Sequence, residues 1–169
     1  MTASFFARQL ATYASYHRDP RNRATHVIGI PAIMFSILVV LALGRLHLFG
    51  LDLSWAVIAA ALGIIGWVAL DRVIGIAMII VTVPMLVVAE WMAASFSAAT
   101  VWIVFAVFFI GGWIFQLVGH VWEGRRPALV DNLFQAFVGP MFIMAEVLMA
   151  LGLKQDLKAL VEGSPHAAA

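Results

Sequence analysis

Three histidines, His17, His26 and His120, stand in two short stretches that also hold much of the scarce charge of this 169-residue chain. The first stretch runs from Tyr16 to His26 and the second from Gly111 to Leu133. Gln116 and His120 are four apart, and His120 and Glu123 three apart, so on a helix all three share a face. A histidine and a carboxylate three apart is also the spacing by which helical bundles hold iron. Asp19-Pro20 reads as a helix start, with Asp19 as the N-cap and Pro20 at the first helical position. His17 then precedes the cap and His26 lies nearly two turns inside. Spacing does not place them on one face, but they converge if the preceding segment folds back over the helix start. Three imidazoles with a carboxylate nearby suit Fe(II) or another first-row divalent ion, and open positions on such a set suit non-haem oxygenase chemistry. Zinc and a di-iron site remain open by chemistry alone. The chain has no cysteine, so thiolate ligands and thiol nucleophiles are excluded.

The elements that must position these residues follow from composition. Hydrophobic residues make up 64% of the chain and charged residues 11%. A soluble domain has roughly twice that charged share, so a soluble monomer is excluded, and so is disorder. A net charge of +1 gives no field for nucleic acid, and no nucleic-acid partner is expected. Apolar stretches near 27–44, 53–70, 73–92, 101–122 and 133–151 have about the length of membrane spans. They are apolar on both parities, unlike barrel strands. The expectation is an all-α, polytopic membrane bundle forming a single domain over 1–169. It has four or five spans and an N-terminal amphipathic helix over 3–16, with no secretory signal ahead of the first span. The last stretch carries Gln135, Pro140 and Glu146, which fits a tilted or partly buried helix better than a clean crossing.

Arg8, Arg18, Arg21 and Arg23 precede the first span, and Arg125 and Arg126 follow the fourth. Basic residues favour the cytoplasmic side, and four crossings put both groups there. A fifth full crossing would carry Lys154 and Lys158 to the other side, against that rule. Several polar residues have ordinary explanations. Arginines beside spans anchor to head groups, His47 lies in the sparse loop on the opposite face, and His166 lies in the small-residue tail. Glu90 reads as interfacial. Glu146 is read either as an ion-pair partner for an arginine or as a site residue.

The pattern Tyr-His-x-x-Pro-x-Asn-x-x-x-His falls on Tyr16, His17, Pro20, Asn22 and His26. A second run covers Gly112, Trp113, Gln116, Gly119, His120, Glu123, the Arg125-Arg126-Pro127 turn and Asp131-Asn132-Leu133. Together with Pro140 to Glu146, these resemble the fungal 2-hydroxy fatty acid dioxygenases of phytosphingosine breakdown and their bacterial relatives. The resemblance implies a membrane-embedded Fe(II) enzyme that uses O2 to shorten a 2-hydroxy fatty acid by one carbon. It implies His17, His26 and His120 as iron ligands, Glu123 as the nearest further candidate and Gln116 as its supporting partner. Arg21, Arg125 and Arg126 would neutralise the substrate carboxylate, with Asn132 as a further contact. The acyl chain would enter from the membrane lipids. A bacterial inner membrane with the site on the cytoplasmic face fits the arginine placement. The competing reading is a non-catalytic lipid-binding or metal-handling membrane scaffold.

Overall fold

The chain is described by a computed structural model over residues 4–162; His166 and the small-residue tail lie outside the described residues. Helix α1, Phe5–Ser15, is capped by Ser4. It buries Phe6, Leu10, Tyr13 and Ala14 on one face, the amphipathic pattern expected of it. Helix α2, Pro20–Leu41, starts where Asp19 accepts a hydrogen bond from the Arg21 amide, with Pro20 in the first turn. Helices α3 (Trp55–Leu70), α4 (Arg72–Ser95) and α5 (Ala98–Glu123) follow, started by the side chains of Ser54, Asp71 and Ser97. Asp71 alone separates α3 from α4, so these two helices turn back on each other tightly. The short helix α6 (Ala128–Asp131) leads into α7 (Phe134–Ala150), then a 3-10 turn (Gln155–Leu157) and α8 (Lys158–Glu162).

The all-α expectation needs one correction. Strands β1, Arg45–Leu48, and β2, Leu51–Ser54, pair antiparallel between α2 and α3. The apolar stretches reach into this segment, but Phe49 and Gly50 both take positive φ, 53° and 77°. That is the two-residue turn that joins twisted antiparallel strands. The register puts Arg45 opposite Ser54 and His47 opposite Asp52.

Among the described residues, α2, α4 and α5 are long and apolar enough to cross a membrane, while α3 is shorter at 16 residues. Helix α7, at 17 residues, reaches spanning length only together with Gln155–Glu162, from which it is bent by 116°. Large apolar side chains stand exposed along the middle of the helices, among them Ile65, Ile80, Val87, Ile103 and Val107. Buried packing concentrates instead at the two ends of the bundle. One core joins Leu38 and Val39 of α2 to Ala56 and Ala60 of α3, Ala89 of α4 and Val101 of α5, near the hairpin. The other gathers α1, the α3–α4 junction and α7 around Leu10, Tyr13, Trp67, Ile74, Met141 and Phe142.

Helix α7 is held to this second end at both of its own ends. Gln135 Nε2 donates to Gln9 Oε1 of α1 at 2.6 Å. Near the other end, Glu146 pairs with Arg23 at 2.9 Å, and just beyond it Lys154 pairs with Asp71 at 2.8 Å. Of the two readings of Glu146, the structure gives the ion pair with an arginine. Glu90, at the far end of α4, pairs with Arg45 at 2.8 Å and bonds Ser54.

Candidate metal centre

Two antiparallel helices must come close for His26 of α2 to meet His120 of α5. They do so because glycines face each other. A Cβ on Gly119 would lie 2.2 Å from Thr25 Oγ1 and 2.4 Å from Asn22 Oδ1. One on Gly112 would lie 2.9 Å from the Gly29 carbonyl oxygen. Small residues at such positions let helix backbones approach.

The connection between α1 and α2 brings in the third imidazole. Glu123, at the end of α5, grips this connection with both carboxylate oxygens. Oε1 accepts from the Arg18 amide at 2.9 Å. Oε2 accepts from the Asp19 amide at 2.9 Å and from Asn22 Nδ2 at 3.0 Å. Arg23 adds a second clamp, its Nε donating to the His17 carbonyl at 2.6 Å. The α1 helix is thereby folded back over the start of α2, the convergence that spacing alone left conditional.

His17, His26 and His120 are all buried, with ligand nitrogens within 4.8 Å of one another. His17 Nδ1 bonds the Tyr13 carbonyl at 2.7 Å, and His26 Nδ1 bonds the Asn22 carbonyl at 2.8 Å. A carbonyl can only accept, so both Nδ1 atoms carry the proton and both Nε2 atoms present bare lone pairs. These two Nε2 atoms face each other at 3.0 Å. Two imidazole nitrogens each about 2.1 Å from one ion, at a right angle, are about 3.0 Å apart. A shared proton is disfavoured. Burial, reinforced by His26, pushes the His17 imidazole down to about 3, against the opposing hydrogen bond to Tyr13. His120 Nδ1 is buried without a hydrogen-bond partner. Facing lone pairs and an orphaned ring nitrogen are the donor set of a divalent cation, and the three residues fit one. The Tyr13 ring stacks on His17 at 4.0 Å between centroids and 6° between planes, which fixes that imidazole's orientation.

The histidines sit at the head of a cavity of about 250 Å³. Ile30, Ile33, Met34 and Ile37 line it from α2, and Phe109, Trp113 and Gln116 from α5. Both helices contribute a single face, at helical spacing from His26 and His120 respectively. Ala128, Gln135, Ala136, Gly139 and Pro140 close it from α6 and α7.

Gln116 lies in the cavity wall beside His120, as its spacing implies. Glu123 does not join the ligand cluster, because both of its oxygens are taken by the α1–α2 connection. The expected carboxylate contacts are also placed elsewhere. Arg21 pairs with its neighbour Asp19 at 2.7 Å, Arg126 pairs with Asp131, and Arg125 lies 3.4 Å over the Tyr16 ring. None of the three lines the cavity. Asn132 Oδ1 accepts from the Phe134 amide at 3.0 Å, in the link between α6 and α7. His47 lies at the hairpin, 3.3 Å from Asp52. Sequence reasoning missed Tyr13, Asn22 and Gln135 as parts of the site. The signals were present: Tyr13 and Asn22 each stand four residues before a histidine, where a helical carbonyl meets the ring.

Fold and centre together define a class: bundles of long apolar helices that hold a three-histidine centre over an apolar cavity. The family described as 2-hydroxy-palmitic acid dioxygenase Mpo1-like matches residues 3–151. The chain is 34% identical over 158 residues to the 2-hydroxy-palmitic acid dioxygenase MPO1 of Saccharomyces cerevisiae, covering 91% of this chain and 86% of that protein. The chain belongs to the Mpo1-like family. No solved structure matches it.

Proposed function

We propose that the chain is an Fe(II)-dependent dioxygenase that shortens 2-hydroxy fatty acids by one carbon at a membrane interface. The observation that carries this reading is the pair of bare Nε2 atoms of His17 and His26, 3.0 Å apart at the head of an apolar cavity, in a chain of this family. His17, His26 and His120 would hold the ion. Bound there, Fe(II) would supply the redox chemistry for O2 to oxidise the 2-hydroxy acid, with the C1–C2 bond broken and the shortened acid, CO2 and water as the balanced products.

The protein's own part is positioning. The α2 and α5 faces take the acyl chain along Ile30, Ile33, Ile37, Phe109 and Trp113, and keep water from it. Their exposed apolar flanks admit the chain directly from the lipid. Tyr13 and Asn22 set the ring orientations through their carbonyls, and Glu123 holds α1 over α2. The site end carries Arg18, Arg21, Arg125 and Arg126, and in a bacterial inner membrane that end faces the cytoplasm.

The test is anaerobic purification, addition of Fe(II) and 2-hydroxypalmitate, then measurement of O2 uptake and product chain length. Stoichiometric uptake with a product one carbon shorter is expected, and its loss in His120→Ala. No turnover in the wild type, or full turnover in His120→Ala, overturns the reading.

A further inference from the structure

The carbonyl of Tyr13 aims His17 and the ring of Tyr13 stacks on that imidazole, but neither contact uses the phenolic hydroxyl. Among the described residues the hydroxyl has no hydrogen-bond partner. The oxygen is not sealed into the packing either. It keeps accessible surface, whereas Gln116 Nε2 and Gln135 Oε1 keep next to none. Tyr13 as a whole is 5% exposed, and it lines the cavity.

Helix α7 locates the hydroxyl. A Cβ on Gly139 would lie 3.0 Å from the Tyr13 hydroxyl oxygen and 3.1 Å from Ile30 Cδ1. Gly139 and Ile30 both line the cavity, so the hydroxyl stands in its wall next to them. Glycine inside a helix is unfavourable relative to alanine, and here it leaves open the space that a methyl group would take from the oxygen. The near-parallel stack on His17, 4.0 Å between centroids, puts the hydroxyl beside the imidazoles and not along the acyl part of the cavity.

A phenol is neutral at ordinary pH and donates one hydrogen bond, and a carboxylate only accepts. Arg21, Arg125 and Arg126, the ordinary kind of carboxylate partner, are engaged outside the cavity. A neutral donor also suits an acid whose charge a divalent ion at the imidazoles already counters. Resting on the functional reading above, we propose that Tyr13 is a specificity residue whose hydroxyl donates a hydrogen bond to the substrate carboxylate. The site thus distinguishes fatty acids from uncharged lipids of the same length.

Binding tests this without turnover. Tyr13→Phe removes the oxygen alone and keeps the ring against His17 and Phe142. The Fe(II)-loaded protein is held in detergent under argon and titrated with radiolabelled palmitate, 2-hydroxypalmitate and hexadecanol. In Tyr13→Phe both acids are expected to weaken about tenfold, the effect of one lost hydrogen bond to a charged group, while hexadecanol binding and iron content stay as in the wild type. Unaltered acid affinity overturns the assignment. Loss confined to 2-hydroxypalmitate moves the bond to the 2-hydroxyl and overturns it too. Equal loss of all three ligands, or loss of the iron, marks a merely structural phenol and also overturns it. If the wild type binds none of the three, the acyl-cavity reading itself falls and takes the assignment with it.

Discussion

His17 Nε2 and His26 Nε2 meet at 3.0 Å, although one ring precedes a helix and the other lies inside it. Each ring is aimed by the same device, an Nδ1 proton given to the carbonyl four residues earlier. The device fixes the tautomer as well as the direction, which is the usual way a protein prepares imidazole for a metal. Elemental analysis of protein purified without chelator is therefore expected to give about one divalent ion per chain. His26→Ala should lose it. Removing the ion from the wild type should lower the melting temperature, and Fe(II) should restore it, because an ion bound only by the folded state stabilises that state. Equal melting temperatures with and without metal would count against the centre.

Glu123 stands one layer out from the three imidazoles. Its carboxylate accepts the Arg18 and Asp19 amides and the Asn22 side chain, and so governs where His17 and His26 stand. Glu123→Ala is expected to weaken metal affinity by about 10–100-fold, the usual effect of losing an outer support. Glu123→Gln retains one acceptor oxygen and should fall between that variant and the wild type. If Glu123→Ala abolished binding as completely as His120→Ala, the residue would be a direct ligand.

Much of this was legible in the chain itself. Composition marks the apolar helices, the Asp19-Pro20 pair marks the start of α2, and the arginines correctly share one end with the histidines. The four-and-three spacing on α5 put Gln116 and His120 on one face, as found. What spacing could not resolve was the direction of Glu123. A carboxylate near histidines serves equally as ligand or as acceptor for amides, and only the fold-back of α1 decides between them. The hairpin was hidden for a different reason. Leu46, Leu48, Leu51 and Leu53 extend the apolar runs on either side, while the reversal depends on Phe49 adopting a positive φ that few non-glycine residues take. Gln135 reads as a sign of a tilted or partly buried helix; its partner Gln9 was not legible, because that bond needs α1 folded back onto α7.

Two glycines on one helix should respond oppositely to alanine. A Cβ at Gly119 meets Thr25 and Asn22 at under 2.5 Å, so Gly119→Ala must push α2 away from α5 and His26 from His120. Loss of metal binding and a lower melting temperature are expected. A Cβ at Gly111 meets nothing within 4 Å. Gly111→Ala should keep the metal and gain about 1 kcal/mol from the better helix former. Equal behaviour of the two variants would show that the α2–α5 approach does not set the centre.

Helix α7 has the apolar composition of a span but not its contacts. Arg23 at the start of α2 holds Glu146, and Asp71 at the α3–α4 junction holds Lys154, while Gln9 of α1 holds Gln135 near the opposite end of the same helix. All three partners belong to the histidine end of the bundle, so α7 lies across that end. Replacing Lys154 with alanine should destabilise the fold by about 1.5–3 kcal/mol, the range for a hydrogen bond between charged groups. The geometry itself is read by labelling. The chain has no cysteine, so single substitutions give clean reporters. Leu133 is 78% exposed, Leu151 70% and the hairpin residue Phe49 94%. In sealed vesicles, a membrane-impermeant maleimide should reach Leu133→Cys and Leu151→Cys from one side and Phe49→Cys from the other. If Leu151→Cys instead reacted from the side of Phe49→Cys, α7 would cross the membrane, and its ion pairs to Arg23 and Asp71 could not form.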